Sequence, residues 1–184
     1  MTTLMQSLHT LLRHRWRDES DARRALPPEA MERLRQRVAA SERRHTGQIR
    51  IAVEAGLPSS YLWRHIRKGV PLRRIVRERA VMLFGTLRVW DTERNNGVLI
   101  YLLLADQAIE LVADRGLNRF VSNADWKAMV ARMGQAFQAG QFEDGLTQAL
   151  EEVSAVLVAH FPREEGEPLS GERANELPDA PALI

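Results

Sequence analysis

The amino-acid sequence predicts an α/β fold, a three-layer α/β/α sandwich with a small mixed β-sheet, N-terminal helices and an extended C-terminal tail. Three observations predict it. An unbroken apolar run at residues 98–105 lies between polar, turn-forming residues. Residues 48–55 alternate apolar and polar side chains, and the segments around these two repeat apolar residues at helical spacing. Strands that alternate with helical segments form a sheet with helices packed on its faces.

The apolar run is the predicted centre of the sheet. Its residues are too few to span a membrane, and they fit a strand that is buried on both faces. After a break at residues 105–107, Ile109, Leu111 and Ala113 recur at the spacing of a second, less buried strand. Together the two strands predict a β-hairpin. The start of its first strand and the end of its second strand therefore lie at the same edge of the sheet.

One strand and a helical crossover are predicted before the hairpin. Ile49, Ile51 and Val53 alternate with more polar side chains, which is the period of a half-buried strand. Residues 56–90 contain two helical segments and are long enough for a right-handed crossover. The first strand can therefore pair in parallel with the hairpin, in the order β-α-β-β.

The N-terminal region predicts helices on both sides of a linker. Residues 4–16 have the apolar spacing of a short amphipathic helix, which packs on the domain or serves as a docking arm. Residues 18–26 are polar and predict a loop. Pro27 and Pro28 start a second helix, and Gly47 follows it as a C-terminal cap residue.

The C-terminal region predicts two helices and a tail. Ser122 is the N-cap of an amphipathic helix that ends near Gly140, and a second helix ends at Pro162. Beyond this proline the chain is too poor in apolar residues to form an element of its own, although Leu177 and Leu183 can dock on the domain.

Composition bounds the class of protein. The chain has no cysteine, which excludes disulfides and thiolate metal sites. Because no apolar stretch reaches about 18 residues, we expect no transmembrane segment and a cytoplasmic location. Residues 1–90 contain 19 Lys and Arg against 8 Asp and Glu, whereas residues 91–184 contain 7 against 16. The basic half suggests polyanion or peripheral membrane binding, or a solvated face that balances the acidic half; nucleic acid is not the expected partner.

Several sequence motifs are absent. The chain has no GxGxxG after a strand, no Walker-type loop, no GxSxG elbow and no HExxH. Its five histidines lack ligand spacing beside a carboxylate, so we expect them at surface or helix-end positions. We therefore expect no nucleotide or redox cofactor.

Oxygen ligands gather where the two ends of the hairpin meet. Asp91, Glu93, Asn95 and Asp114 carry the carboxylate and amide oxygens that Ca²⁺ and Mg²⁺ prefer, which predicts a divalent cation site. The alternative is that residues 91–97 form only a turn, in which an Asn-Gly pair supplies the positive φ angles. At the opposite edge, Glu54 and the hairpin-turn residue Asp106 form a second, smaller acidic pair.

The segment NNGVLIYLLLADQAIELVADRGL, with TGQIRIAVEA before it and SNADWKAMVARMGQAFQAGQFEDGLTQALEEV after it, resembles the TPM domain. The similarity covers about residues 43–162. Its motifs are the NGVL strand, the DRG turn and a W-to-F helix followed by a G-x-F/Y-x-x-G-L helix start. The WDTE and NELPDAPALI segments are similar to a short, soluble proteobacterial branch that lacks a signal peptide and a membrane helix.

The resemblance implies an α/β/α domain at residues 27–162, after an N-terminal helix and linker (1–26) and before an extended Pro/Glu-rich tail (163–184). Some family members have been described as acid phosphatases and others as Ca²⁺ binders. Their acidic loops correspond to Asp91, Glu93 and Asp114. Many relatives have Glu where this chain has Gln48, and this difference weighs against an inherited phosphatase activity.

Three functions follow, in order of preference. The first is an interaction or regulatory module that holds Ca²⁺ or Mg²⁺ at the acidic edge and binds an unknown protein partner. The second is a metal-dependent, acid phosphatase-like hydrolase in which Arg94 or Arg115 contacts the phosphate. It ranks second because no separate nucleophile or general acid is evident, so its catalytic residues are unknown. Binding of a polyanion or a membrane surface ranks third.

Overall fold

Four strands form one mixed sheet, with neighbours in the order β3-β2-β1-β4. The computed structural model describes His14, residues 19–163 and residues 176–184. The strands are β1 (Gln48–Glu54), β2 (Gly97–Leu103), β3 (Ala108–Ala113) and β4 (Ala182–Leu183). β1 pairs in parallel with both β2 and β4, whereas β2 and β3 are antiparallel. The predicted β-α-β-β order and the hairpin are confirmed.

Helices cover both faces of the sheet. They are α1 (Glu19–Ala25), α2 (Pro28–Glu42), α3 (Ser59–Lys68), α4 (Leu72–Thr86), α5 (Asn123–Gln138) and α6 (Phe142–His160). Apolar side chains of α1, α2, α5 and α6 pack on one face, and those of α3 and α4 pack on the other. The α/β/α sandwich is therefore confirmed.

The burial of β2 agrees with the prediction, whereas the burial of β1 does not. Every residue of β2 is buried, as the apolar run predicts for a strand with helices on both sides and a strand on either hand. β1 is also buried at all positions except Arg50, so the prediction of a half-buried strand is wrong. On the second face of β1, Ala52 packs with α3 and α4, whereas Gln48 and Arg50 are bonded to the C-terminal segment.

Near the N-terminus the structure differs from the prediction at two places. The segment predicted as a loop, residues 18–26, contains α1, because Ala22 and Leu26 are buried in the core and hold it as a helix. Gly47 is not a left-handed cap: α2 ends at Glu42, and a Cβ on Gly47 would lie 2.5 Å from the Leu157 side chain. It is a position of close approach to α6. The helix predicted at residues 4–16 lies outside the described residues, apart from His14.

The capping of α5 agrees with the prediction. The Ser122 Oγ accepts a hydrogen bond from the Asp125 N–H, and the Asp125 carboxylate accepts one from the Ser122 N–H. This reciprocal capping satisfies two of the backbone donors that every helix start leaves open.

The C-terminal segment forms an element of its own, contrary to the prediction. Ala182 and Leu183 pair with β1 as β4, and the backbone N–H of Ile184 donates to the Val53 carbonyl at 2.9 Å. Leu177 is buried against the α3/α4 face, so the predicted docking is observed. Two residues in register with an open strand edge suffice here, because backbone pairing requires no apolar run.

Candidate functional site

Two loops meet at one edge of the sheet, where β2 begins and β3 ends. We call residues 91–96 and 114–117 the rim. Val98 stands opposite Ala113 in the hairpin, so the residues before one and after the other must converge. The Asp114 N–H donates to the Gly97 carbonyl, and the Gly116 N–H donates to the Asn95 carbonyl, each at 2.9 Å. The topology thus brings the two loops together as the sequence predicts.

Asp114 is the buried carboxylate of the rim. It precedes the short 3₁₀ helix Arg115–Leu117, and its Oδ1 accepts a hydrogen bond from the Arg115 N–H at 2.6 Å. The residue is only 7 % exposed, and its Oδ2 has no hydrogen-bond partner among the described residues. A buried polar atom without a partner costs free energy. No contact among the described residues offsets this cost at the Asp114 Oδ2.

Asn95 and Arg115 are joined directly. The Arg115 Nε donates to the Asn95 Oδ1 at 2.9 Å, so two of the residues predicted for this site are in contact. Asn95 also has a positive φ of 51°, a conformation that asparagine tolerates better than most residues. Its backbone therefore turns here and exposes its carbonyl to the 3₁₀ segment.

The remaining predicted residues lie on the outer side of the rim. Asp91 is exposed, and its Oδ2 lies 3.8 Å from the Arg88 Nε. Glu93 is also exposed, and its backbone N–H donates to the Glu176 carboxylate at 2.8 Å. Within residues 19–163 and 176–184 and at His14, no three His, Asp or Glu side chains are grouped closely enough to hold a metal ion. The three predicted carboxylates are thus on one edge but do not form a ready cluster.

The glycines of the rim permit close approach. A Cβ on Gly97 would lie 2.0 Å from the Val89 carbonyl oxygen, and one on Gly116 would lie 2.4 Å from that of Asn95. The positive φ predicted for an Asn96-Gly97 turn is instead found at Asn95. Asn96 is buried, and its Nδ2 donates to the Thr46 Oγ1 at 3.4 Å.

A buried polar cluster lies behind the rim, at the end of α2. The His45 Nδ1 is 3.1 Å from the Gly47 carbonyl, and its Nε2 is 2.8 Å from the Ser41 Oγ. Because a carbonyl can only accept, Nδ1 carries the proton and Nε2 accepts from the hydroxyl. Burial lowers the pKa of His45 to about 4, so the ring is neutral at pH 7. The Ser41 Oγ also lies 2.7 Å from that of Ser154, which ties α2 to α6.

Glu42 is the second buried carboxylate on this side. Its Oε1 accepts a hydrogen bond from the Ile49 N–H at 2.8 Å, which anchors the end of α2 to the start of β1. Burial raises the pKa of Glu42 to about 8 in spite of this bond. Glu42 and His45 escaped prediction because a polar residue at a helix end is usually exposed.

Comparison with known proteins identifies the family of the chain. The sequence matches the TPM domain over residues 20–156. The chain belongs to the TPM domain family. This match starts earlier than the motifs noted above and includes α1 and α2, which supply much of one face of the TPM core. No curated protein matches the sequence.

Two solved structures share the fold of this TPM domain. The BA42 protein from the psychrophilic bacterium Bizionia argentinensis superposes with a TM-score of 0.66 at 24 % identity, covering 86 % of this chain and 95 % of that one. The N-terminal domain of a protein from P. gingivalis gives 0.54 at 18 % identity, covering 76 % and 83 %. At these identities the likeness establishes the fold alone.

The opposite edge of the TPM sheet contains a closed network. The Arg79 Nε donates to both carboxylate oxygens of Glu54, at 2.9 and 3.1 Å, and its Nη2 donates to Oε1. The Tyr101 hydroxyl donates to the Glu54 Oε2 at 2.6 Å, and burial raises the pKa of Tyr101. Asp106, predicted as a turn residue, lies 3.0 Å from the His14 Nε2. Glu54 is thus committed to the packing of α4 on the sheet.

Within the described part of the chain, no helix combines the length and the apolar character that are needed to cross a bilayer.

Proposed function

We propose that this TPM domain is a binding module with an interaction or regulatory role, and that its rim holds a divalent cation, Ca²⁺ or Mg²⁺, through Asp114. The proposal is carried by one observation, the buried Oδ2 of Asp114 that has no hydrogen-bond partner among the described residues. A divalent cation is the simplest group that would satisfy a buried carboxylate oxygen, because both ions bind anionic oxygen strongly.

The other oxygens needed for such an ion are close at hand. The carbonyl of Arg94 and the carbonyl and side chain of Asn95 lie against the 3₁₀ segment. Asp91 and Glu93 project from the same loop and would add charge once an ion is present. Because the carboxylates are not already clustered, we expect a weak site, with a Kd of about 10⁻⁴ to 10⁻³ M.

A bound cation would have consequences beyond the rim. It would draw the loop at residues 91–96 toward Asp114, and this loop is already bonded to the C-terminal segment through Glu93 and Glu176. Ion binding would therefore set the conformation of an exposed surface that includes both segments. We infer that a protein partner, in the cytoplasm as the sequence suggests, recognises this surface.

The test is titration of the full chain with Ca²⁺ and with Mg²⁺, followed by amide chemical shifts and thermal unfolding. Wild-type protein should gain about 1 kcal/mol of stability at an ion concentration several times Kd, which corresponds to a few degrees in Tm. Amide shifts should concentrate at residues 91–96 and 114–117. Asp114→Asn should abolish both responses, and Asp91→Asn should weaken them.

Asp144→Asn is the matched control, because it removes one exposed carboxylate from the first turn of α6. It should leave the response to metal unchanged. Equal loss of response in Asp144→Asn and Asp114→Asn would mean that the ion screens net charge without a site, and the proposal would fail.

Metal-dependent hydrolysis is the competing function at the same site. Its phosphate contact would come from Arg94, which is exposed, or from Arg115, whose Nε is already bonded to Asn95. The sequence offers no separate nucleophile or general acid for the reaction. We therefore expect p-nitrophenyl phosphate to be stable in the presence of the protein and either ion. Turnover that depends on metal and disappears in Asp114→Asn would replace the module with a phosphatase.

A further inference from the structure

A basic cavity of about 460 Å³ opens beside the outer edge of β3. Its walls come from α4, from β3 and from the first turns of α5. Among the described residues, the lining contains one acid, Glu110 of β3, and four cations, which are Arg73, Arg74 and Arg77 of α4 and Lys127 of α5. The volume is in the range of pockets that bind small molecules.

Two of the four cations are held in place. The Arg77 Nη1 donates to the Leu111 carbonyl and lies 3.2 Å from the Glu110 Oε2. The Arg74 Nε donates to the Glu78 Oε1 at 3.0 Å. These bonds hold both guanidinium groups and leave further N–H donors on each of them.

The positive charge of the cavity is only partly balanced. Arg73 has no hydrogen-bond or ion-pair partner among the described residues, and Lys127 acts on Glu110 only through its charge. Burial raises the pKa of Glu110, because it disfavours the charged form of this carboxylate. A ligand that brings negative charge would offset the repulsion among four cations.

Trp126 is a second feature that favours an anionic ligand. It lines the cavity, is nine-tenths buried, and has an indole Nε1–H without an acceptor among the described residues. Tryptophan almost always finds a partner for this donor when it is buried. Because this nitrogen is shielded from solvent, a ligand oxygen would supply the acceptor only by reaching it from the cavity side.

The cavity also differs from the rest of the basic half of the chain. On α2, Arg33 is paired with Glu143 and Arg35 with Glu32, each with a contact shorter than 3 Å. Arg73 and Lys127, in contrast, have no such acid partner among the described residues, and they line the same concave space as Arg74 and Arg77. Convergence favours a compact ligand over an extended polymer that would need a stripe of charge.

We propose that this cavity binds a small organic phosphate with two or more negative charges. The guanidinium groups of Arg73 and Arg77 suit the paired oxygens of a phosphate group, and Lys127 adds a point charge from the other wall. The site is separate from the cation at the rim and does not depend on it.

The test uses the full chain in EDTA and inorganic pyrophosphate as the probe, so that no divalent ion contributes. Binding is followed by calorimetry and by the indole N–H signals of the four tryptophans, with that of Trp126 assigned through Trp126→Phe. We expect pyrophosphate to shift the Trp126 signal. The double substitution Arg73→Gln and Lys127→Gln should raise Kd by about tenfold or more.

Arg67→Gln is the matched control, because Arg67 is an exposed arginine of α3 that stacks on Trp63 outside the cavity. It should leave the affinity for pyrophosphate unchanged. Arg67, Arg73 and Lys127 are all exposed, and thermal unfolding should show that their variants remain folded.

Three results would overturn the site. They are the absence of a shift at Trp126, an equal loss of affinity in the Arg67 variant, and tighter binding of single-stranded DNA with no response at Trp126. The last result would identify a general polyanion surface.

Discussion

Two buried carboxylates stand at opposite ends of the same sheet, and their surroundings differ. Glu54, 3 % exposed, shares its two oxygens among the guanidinium of Arg79 and the hydroxyl of Tyr101. Asp114, 7 % exposed, has one oxygen bonded to a backbone N–H and one oxygen without a partner in the described chain. Two carboxylates that are buried to a similar degree therefore differ in how many of their hydrogen bonds the described chain satisfies.

The difference has a physical basis in the cost of burying charge. A carboxylate that leaves water recovers part of that cost only when cations and donors surround it. Around Glu54, the Arg79 guanidinium and the Tyr101 hydroxyl offset the cost of burial, so this residue has a structural role. Around Asp114 the compensation is incomplete, so a ligand can supply what is lacking.

The largest effect on stability is expected in the network around Glu54. Arg79→Met should lower the free energy of unfolding by about 3–5 kcal/mol, because it leaves the Glu54 carboxylate buried without its cation. Urea denaturation measures the loss. The double variant Glu54→Leu with Arg79→Met should recover most of it, since no charge is then buried. A double variant as unstable as the single one would show that packing, and not charge, controls this end.

A third buried carboxylate extends the comparison to pH. Burial raises the pKa of Glu42 from 4.5 to about 8, so the folded state holds its proton more tightly than the unfolded state. The stability that this provides is complete below about pH 4.5 and is lost as pH rises through 8. Relative to Glu42→Gln, wild-type protein should lose on the order of 3 kcal/mol between pH 5 and 8.

The measurement is denaturant unfolding of both proteins across that range. His45 has the opposite tendency, since its lowered pKa of about 4 removes stability as pH falls from 6.5. It is present in both proteins and cancels in the difference. Parallel stability curves for the two proteins would contradict the prediction.

Matched isosteric substitutions compare the two ends directly. In metal-free buffer, Glu54→Gln should cost about 2 kcal/mol, because its amide would place an N–H group against the Arg79 guanidinium. Asp114→Asn should change stability by less than about 1 kcal/mol, since its oxygen can still accept the Arg115 N–H bond. Thermal unfolding in EDTA ranks the pair. A greater loss at Asp114 would mean that this carboxylate also serves the fold.

A loss smaller than that of Glu54→Gln is expected from Tyr101→Phe. It removes one donor to Glu54 and leaves the Arg79 bonds in place, so the cost should be about 1 kcal/mol. Chemical denaturation is sensitive enough to detect it. A loss as large as that of Arg79→Met would show that the hydroxyl, and not the guanidinium, stabilises the carboxylate.

The sequence could predict features that depend on local pattern or on topology, and it could not predict features that depend on contacts across the fold. The hairpin and the parallel pairing were predictable because apolar period and crossover length are local or topological properties, and they brought Asn95 and Asp114 to one edge. The burial of Glu42 and His45 was not, because it depends on how the end of α2 meets β1 and α6. The role of Gly47 was missed for the same reason: its close approach to Leu157 lies across the fold.

The terminal pairing of Ala182 and Leu183 has a consequence for how copies of this chain behave toward one another. These two residues pair with Ala52 and Val53, and the Arg50 guanidinium is bonded to the Pro178 and Ala180 carbonyls, so the described C-terminal segment covers part of the β1 edge. An uncovered strand of this kind is a template for pairing between molecules. We therefore expect a chain that ends before residue 176, or one in which a fusion pulls this segment away from β1, to aggregate more readily.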